Sequence, residues 1–259
     1  MLLTGDPAAQ PEAERMTADD GFFGEQVAST YDERVADMFD ASVVEPAADL
    51  LAELAGDGGA LEFGIGTGRI ALPLIDRGVR VAGIDSSEAM VTRLRAKPGG
   101  DDVEVAIGDF AQARVDGEFA LVYLVFNTIF NLVTQDAQVA CFENAAAHLR
   151  RGGRFVIETM VPDLQLLPLG QTIVPFRADA EGLSFDVYDV VTQRFSSQHY
   201  TFSGSGVEAH PFEFRYAWPA ELDLMARIAG LQLGDRWAGW HREPFTALSR
   251  SHVSVYMKA

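Results

Sequence analysis

From Ala60 to Thr159 the chain alternates short, continuous apolar runs with stretches whose apolar positions recur every three to four residues. Runs of this kind read as strands buried on both faces, and the longer period reads as helices with one apolar stripe. Strands are predicted at Ala60–Phe63, Val79–Asp85, Val103–Ile107, Phe119–Val125 and Arg154–Thr159, with helices at Arg69–Asp76, Ser87–Lys97 and Gln135–Arg150 between them. Two helices are predicted upstream, Val27–Phe39 and Val44–Ala55, the second stopped by Gly56-Asp57-Gly58-Gly59. Residues Met1–Asp20, rich in Ala, Pro, Asp and Glu and without periodicity, read as a mobile tail. Strand–helix alternation predicts an α/β domain with a mostly parallel sheet and helices on both faces.

The rhythm changes after Pro162. Phe185–Val191, Gln198–Phe202 and Phe212–Ala217 read as strands with no crossover helix between them. In the last, Phe212, Phe214 and Tyr216 alternate with Glu213 and Arg215, the signature of a half-buried antiparallel strand. The reading is an antiparallel β insertion over 164–217 within a domain formed by 21–163 and 218–259. Pro219 opens a helix that stops at Gly230, and strands at Gln232–Trp237 and Val253–Lys258 close the domain. The insertion carries more aromatic residues than one thin layer can hide. They are expected to pack on the main domain, face a substrate as a lid, or meet a second copy of the chain in a homodimer.

Charge narrows the partners. The 259 residues hold 38 acidic and 20 basic side chains, a formal net charge of -18. Such a field repels polyphosphate, so no nucleic-acid partner is expected. One cysteine, Cys141, excludes an internal disulfide and fits a reducing compartment. Without a basic, apolar leader, and without an apolar run approaching roughly 18 residues, the expectation is a cytoplasmic protein with no membrane partner.

Glu62-Phe63-Gly64-Ile65-Gly66-Thr67-Gly68-Arg69 follows the first of these strands and precedes a helix. Closely spaced glycines let a backbone turn sharply and let a ligand approach where a Cβ would stand. Asp85 ends the next strand, where a carboxylate can accept ribose hydroxyls, and Gly108-Asp109-Phe110 ends the third. Three adjacent strand ends over one crevice form the usual ligand position of an open α/β sheet. The spacing is Gly-x-Gly-x-Gly, not the Gly-x-Gly-x-x-Gly of dinucleotide binders.

In order and spacing, the Glu62–Gly68 string, Asp85 and Asp109 resemble the cofactor motifs of class I S-adenosylmethionine-dependent methyltransferases. The resemblance implies a Rossmann-like sheet with an antiparallel last strand, and S-adenosylmethionine as cofactor. It implies that Gly64, Gly66 and Gly68 pass under the methionine part, Glu62 orients the loop and the amino group, and Asp85 holds the ribose. Met90 would rest against the adenine, whose edge Asp109 and the Phe110 backbone would read, and Tyr31 would reach the cofactor carboxylate. Arg69, Ser86, Gly108 and Val125 complete the expected cofactor site.

At the fourth strand end, Phe126-Asn127-Thr128-Ile129 and the later insertion resemble small-molecule enzymes that N-methylate amino sugars or peptide natural products. The histidine that amino-sugar enzymes place near Asn131 is absent here. No Asp or Glu lies between Phe119 and Thr134, so no metal is expected. The acceptor is expected to be an amine or hydroxyl of a small molecule. Asn127, Asn131 and His241 are the candidate catalytic groups, His241 because the loop 238–251 is expected at the cofactor edge; His199 and His210, in the insertion that leaves from the same edge, are further candidates. His148 and His252 read as structural. Trp218, Trp237 and Trp240, with Phe126 and Phe130, are candidate walls of an apolar pocket. Two alternatives share the strand–turn–helix unit: a nicotinamide-dependent oxidoreductase, and a non-catalytic module that senses S-adenosylmethionine.

Overall fold

The computed structural model describes residues 23–162, 164–204 and 206–259, so the predicted tail Met1–Asp20 lies outside the described residues. The main sheet is built from β1 (Ala60–Phe63), β2 (Val81–Asp85), β3 (Glu104–Ile107), β4 (Phe119–Leu124), β5 (Leu149–Met160), β10 (Leu231–Trp237) and β11 (Ser251–Lys258). Its order is β10-β11-β5-β4-β1-β2-β3. The pairs among β1 to β5 are parallel, whereas β11 is antiparallel to both neighbours, as the family resemblance implies. Strand order reverses beside β1, so the ends of β1, β2 and β4 open onto one crevice.

Alternation along the strands divides the core into two layers. Leu61, Phe63, Val122, Leu124, Phe155 and Ile157 pack toward α6 (Gln135–His148) and α7 (Pro219–Ile228). Ala60, Leu121, Tyr123 and Val156 pack toward α3 (Ala41–Ala55) and α4 (Ala71–Asp76). Cys141 is buried in the first layer. Helix α5 (Glu88–Arg95) starts at Ser87, whose hydroxyl accepts the Met90 N–H at 3.1 Å, a side-chain N-cap. Asp40 caps α3 in the same way through the Ser42 N–H, which starts that helix earlier than its apolar period suggests.

Two predicted elements need correction. The single helix Val27–Phe39 is three pieces: α1 (Glu25–Ala28), α2 (Tyr31–Arg34) and a 3₁₀ turn, Ala36–Phe39. β-Branched Thr30 and Val35 sit at the breaks, and the segment is drawn toward the glycine turn by side-chain bonds rather than extended as a free helix. The insertion forms its own four-stranded sheet in the order β6-β7-β8-β9. Its strands are β6 (Ile173–Ala178), β7 (Gly182–Asp189), β8 (Arg194–Ser203) and β9 (Gly206–Arg215). Strand β6 escapes the sequence pattern because it contains Pro175. The proline is tolerated because β6 is an edge strand, as Pro211 is on edge strand β9.

The insertion is joined to the main core. Tyr188, Phe195 and Tyr216 are buried in the α6–α7 layer, and Phe195 meets Phe130 edge to face at 6.3 Å. Phe185 and Tyr200 stack on each other at 5.9 Å, and Phe202 is exposed. No described helix is long and apolar enough to cross a membrane.

Candidate active site

Two connected cavities lie along the carboxyl ends of the parallel strands. The smaller, about 500 Å³, is lined by Gly64 and Gly66, by Asp85, Ser86 and Met90, and by Phe110. The larger, about 770 Å³, lies between the end of β4 and the insertion sheet. Both are bordered by Phe23, Tyr31, Thr128, Asn131, Phe212 and Phe214, which form the boundary between them.

Gly64 and Gly66 line the smaller cavity with φ of 69° and 53°, a left-handed conformation that glycine adopts without strain. A Cβ on Gly64 would also stand 2.9 Å from the Thr128 methyl. Asp85 fixes this turn: one carboxylate oxygen accepts the Gly66 N–H at 2.7 Å and the other accepts the Ser87 N–H at 2.8 Å. The Ser86 N–H is a third donor to the carboxylate, so of its roughly four lone-pair sites about one is left for a further donor. Burial raises the Asp85 pKa, against the opposing pull of these backbone donors. Ser86 follows at the strand end, and Met90 and Phe110 are apolar walls.

Several expected cofactor residues lie behind the cavity rather than on it. Glu62 is buried and accepts the Tyr123 hydroxyl at 2.9 Å and the Ala71 N–H, so it ties the turn to the start of α4. Burial pushes its carboxyl up to about 8. Gly68, at φ 83°, faces α5, where a Cβ would collide with the Leu94 side chain at 2.4 Å, so its absent side chain serves packing. Arg69 donates to the Met38 carbonyl and lies over the Phe126 ring at 4.9 Å. Gly108 and Val125 lie outside both linings, and exposed Asp109 accepts the Ala111 N–H at 2.8 Å.

Tyr31 borders both cavities, and burial raises its phenol pKa. Its neighbour Asp32 accepts the Thr67 hydroxyl at 2.6 Å and pairs with Lys97 at 2.6 Å. These bonds hold the N-terminal segment against the glycine turn.

The turn after β4 is strained. Phe126 and Asn127 have φ of 58° and 59°, uncommon for side-chain-bearing residues and unfavourable for a bulky one. Strand β5 holds them there. The Phe126 N–H donates to the Glu158 carboxylate at 2.8 Å, and Asn127 Oδ1 accepts the Met160 N–H at 2.6 Å and the Thr159 hydroxyl at 3.2 Å. Asn127 therefore lines the larger cavity while its carbonyl oxygen is committed to the backbone, whereas Asn131 borders both cavities. Glu158 is a site-shaping residue that the sequence pattern does not mark.

His241 does not reach either cavity. It is exposed in a loop that folds over the α3 side, where Arg242 pairs with Glu53. Trp237 and Trp240 pack on the same side, and Trp218 precedes α7, so none of the three tryptophans walls the cavities. Phe126 and Phe130 do line the larger one. His148 is buried and structural, its Nδ1 bonded to the Asn144 carbonyl and its Nε2 accepting the Val115 N–H at 3.1 Å. Nδ1 of His252, also buried, bonds the Ser254 hydroxyl at 2.8 Å. The residues missed from the sequence include the polar ones of the insertion's inner face, Ser184, Asp186 and Ser197, whose placement over β4 no local pattern encodes.

A strand–glycine turn–helix with an acidic residue at the next strand end, beside a second chamber, suits a nucleotide-like ligand. Residues 60–153 match the family described as "Methyltransferase domain". The cypemycin N-terminal methyltransferase of a Streptomyces species is 30% identical over 237 residues, 88% of this chain and 97% of that protein. The solved CcbJ methyltransferase of Streptomyces caelestis is 39% identical with a TM-score of 0.81, over 92% of this chain and 98% of that one. CalS10 of Micromonospora echinaspora, an amino pentose methyltransferase, shares the fold at 19% identity with a TM-score of 0.65, over 88% of this chain and 96% of that one. The chain belongs to the S-adenosylmethionine-dependent methyltransferases.

Proposed function

We propose that the chain transfers the S-adenosylmethionine methyl group to an amine nitrogen of a small natural product, such as an amino sugar or a peptide N-terminus. The smaller cavity would hold the cofactor: Asp85 at the ribose, Met90 and Phe110 flanking the adenine, and Gly64 and Gly66 beneath the methionine part. The cradle that a Cβ on Gly64 would fill, and the acceptor capacity left on Asp85, fit such a ligand. When bound, the cofactor supplies an electrophilic methyl group on a sulfonium, and the protein's task is to hold a nucleophile in line with it.

The observation that carries the nitrogen assignment is the boundary between the cavities. Its members are Phe23, Tyr31, Thr128, Asn131, Phe212 and Phe214, and none is a base at neutral pH, since the Tyr31 phenol is held protonated; Glu213, on the smaller cavity, pairs with Arg194 at 3.5 Å, and Asp186, His199 and His210 line only the larger one. A hydroxyl acceptor needs a base as it is methylated, whereas a neutral amine attacks with its own lone pair. Among the described residues no group of three or more His, Cys, Asp or Glu side chains is placed to hold a metal ion. The cypemycin relative is named an N-terminal methyltransferase, which agrees with nitrogen as acceptor.

The test is incubation with methyl-¹³C-labelled S-adenosylmethionine and probes carrying both a primary amine and a hydroxyl: 8-aminooctan-1-ol, and a serine-containing tripeptide with a free N-terminus. The label is expected on nitrogen by NMR, with the rate unchanged by chelator. Label on oxygen, or a reproducible metal requirement, would overturn the reading.

A further inference from the structure

The inner face of the insertion sheet carries a directed hydrogen-bond chain. In register, Asp186 faces Ser197, and Ser184 faces His199, across β7 and β8. All four line the larger cavity. Ser197 Oγ lies 3.1 Å from His199 Nε2, and Ser184 Oγ lies 3.3 Å from His199 Nδ1. The Ser197 hydroxyl donates to the Asp186 carboxylate. Having given its proton to Asp186, the Ser197 oxygen can only accept from Nε2–H, which leaves Nδ1 to accept the Ser184 hydroxyl. The imidazole is held between Phe176 and Phe212, both edge-on at 5.4 and 5.1 Å. Burial lowers its pKa, which favours the neutral form that this chain requires, while Asp186 opposes the shift.

Every donor in the chain thus points toward Asp186. Beyond the Ser197 hydroxyl, Asp186 receives a long contact from the Tyr188 hydroxyl at 3.4 Å. A carboxylate has about four lone-pair sites, so acceptor capacity remains on the cavity side. Asp186 is also the sole carboxylate among the described residues lining this cavity. Two arginines line it too; Arg177 is drawn to Asp179 at 2.6 Å, and Arg34, on α2, lies close enough to act on the His199 imidazole.

Asp186, Ser197 and Phe212 occupy one rung of the sheet, and Phe212 borders the cofactor cavity. Two strand spacings separate Asp186 from Phe212, or about 10 Å. With the methylated nitrogen taken to lie beside Phe212, at the edge of the cofactor cavity, Asp186 stands too far away to touch it. We propose that the Asp186–Ser197–His199–Ser184 chain is a distal specificity site that binds a second hydrogen-bond-donating group of the acceptor, a hydroxyl or an ammonium, about 10 Å from the methylated nitrogen. This rests on the amine-methylating reading and adds that the acceptor is polar at both ends.

The test separates the two claims by measuring binding and turnover apart. Protein saturated with S-adenosylhomocysteine is titrated calorimetrically with octylamine, 8-aminooctan-1-ol and 1,8-diaminooctane, whose chains span the distance. At least one of the two-ended compounds should bind roughly tenfold or more tighter than octylamine, the usual yield of a charge-assisted hydrogen bond. Asp186→Asn, checked for unchanged S-adenosylhomocysteine affinity, should erase that advantage. An advantage confined to the diamine identifies an ammonium; one shared by the amino alcohol identifies a hydrogen-bond donor of either kind. Equal or undetectable binding of all three compounds by the unmodified protein overturns the proposal without reference to any variant, as does an advantage that survives Asp186→Asn. Turnover of the same compounds reports on the other claim: Asp186-dependent binding with no N-methylated product would leave the distal site standing and overturn the amine reading.

Discussion

Thr67, in the glycine turn, donates its hydroxyl to Asp32 at 2.6 Å, so the turn and the N-terminal segment that crosses it are one unit. Lys97 joins both, pairing with Asp32 at 2.6 Å and donating to the Thr67 carbonyl at 2.8 Å. Tyr31, adjacent to Asp32, is thereby held on the boundary between the cavities. Asp32→Ala should release residues 23–40, raising their amide exchange. Because the pair is partly exposed, the loss should be near 1 kcal/mol, or about fivefold in S-adenosylhomocysteine affinity. Unchanged exchange and unchanged affinity would show that the segment docks by its apolar contacts alone.

Asn127 is expected to be a positioning residue. Replacing it with Ala removes the acceptor of the Met160 N–H and the Thr159 hydroxyl and puts a less tolerant residue at φ 59°. The cost should be about 2 kcal/mol in urea denaturation. A tenfold or greater fall in kcat/KM should accompany it, because Phe126, Thr128 and Asn131 lose their fixed backbone. Asn127→Gly, which relieves the strain but not the lost bonds, should destabilise less. Native stability in Asn127→Ala would mean that β5 does not hold this turn.

Glu62 gives the fold a pH dependence of defined sign. Its carboxyl is pushed up to about 8 by burial, against an ordinary value of 4.5. The folded state therefore binds the proton more tightly than the unfolded chain. The corresponding stability is fully present below pH 4.5 and is lost as pH rises to about 8. Glu62→Gln keeps a neutral, similarly shaped group beside Tyr123. It should flatten the decline in melting temperature between pH 5 and pH 8, and be more stable than the parent protein at pH 8.5. A parallel decline in both proteins would place the titrating group elsewhere.

Much of this architecture is legible in the sequence, because buried parallel strands announce themselves as unbroken apolar runs and β1 is read to the residue. The glycine turn and Asp85 are legible because chemistry there depends on residue types at fixed spacing. Gly68, Glu62 and Arg69 share that spacing yet serve the turn from behind, since a motif records which residues are needed but not which side they face. The acceptor chamber is less legible. Its walls come from Phe126 after β4, Asp186 and His199 on the insertion, and Tyr31 near the N-terminal end of the described chain. Only the tertiary fold brings them together. His241 failed as a candidate for a related reason: topology places the start of its loop at the cofactor edge, but the pairing of Arg242 with Glu53 turns that loop away over α3.

The most direct test of the account is the affinity of the Asp85→Ala variant for S-adenosylhomocysteine, measured by calorimetry on protein whose cooperative unfolding has been confirmed. Asp85 both fixes the Gly66 turn and offers its remaining acceptor capacity to the cavity. Loss of a buried, charge-assisted pair should weaken binding roughly tenfold or more, from about 1.5–3 kcal/mol. A folded Asp85→Ala protein that binds S-adenosylhomocysteine as tightly as its parent would contradict the placement of the cofactor in the Gly64–Asp85–Met90 cavity.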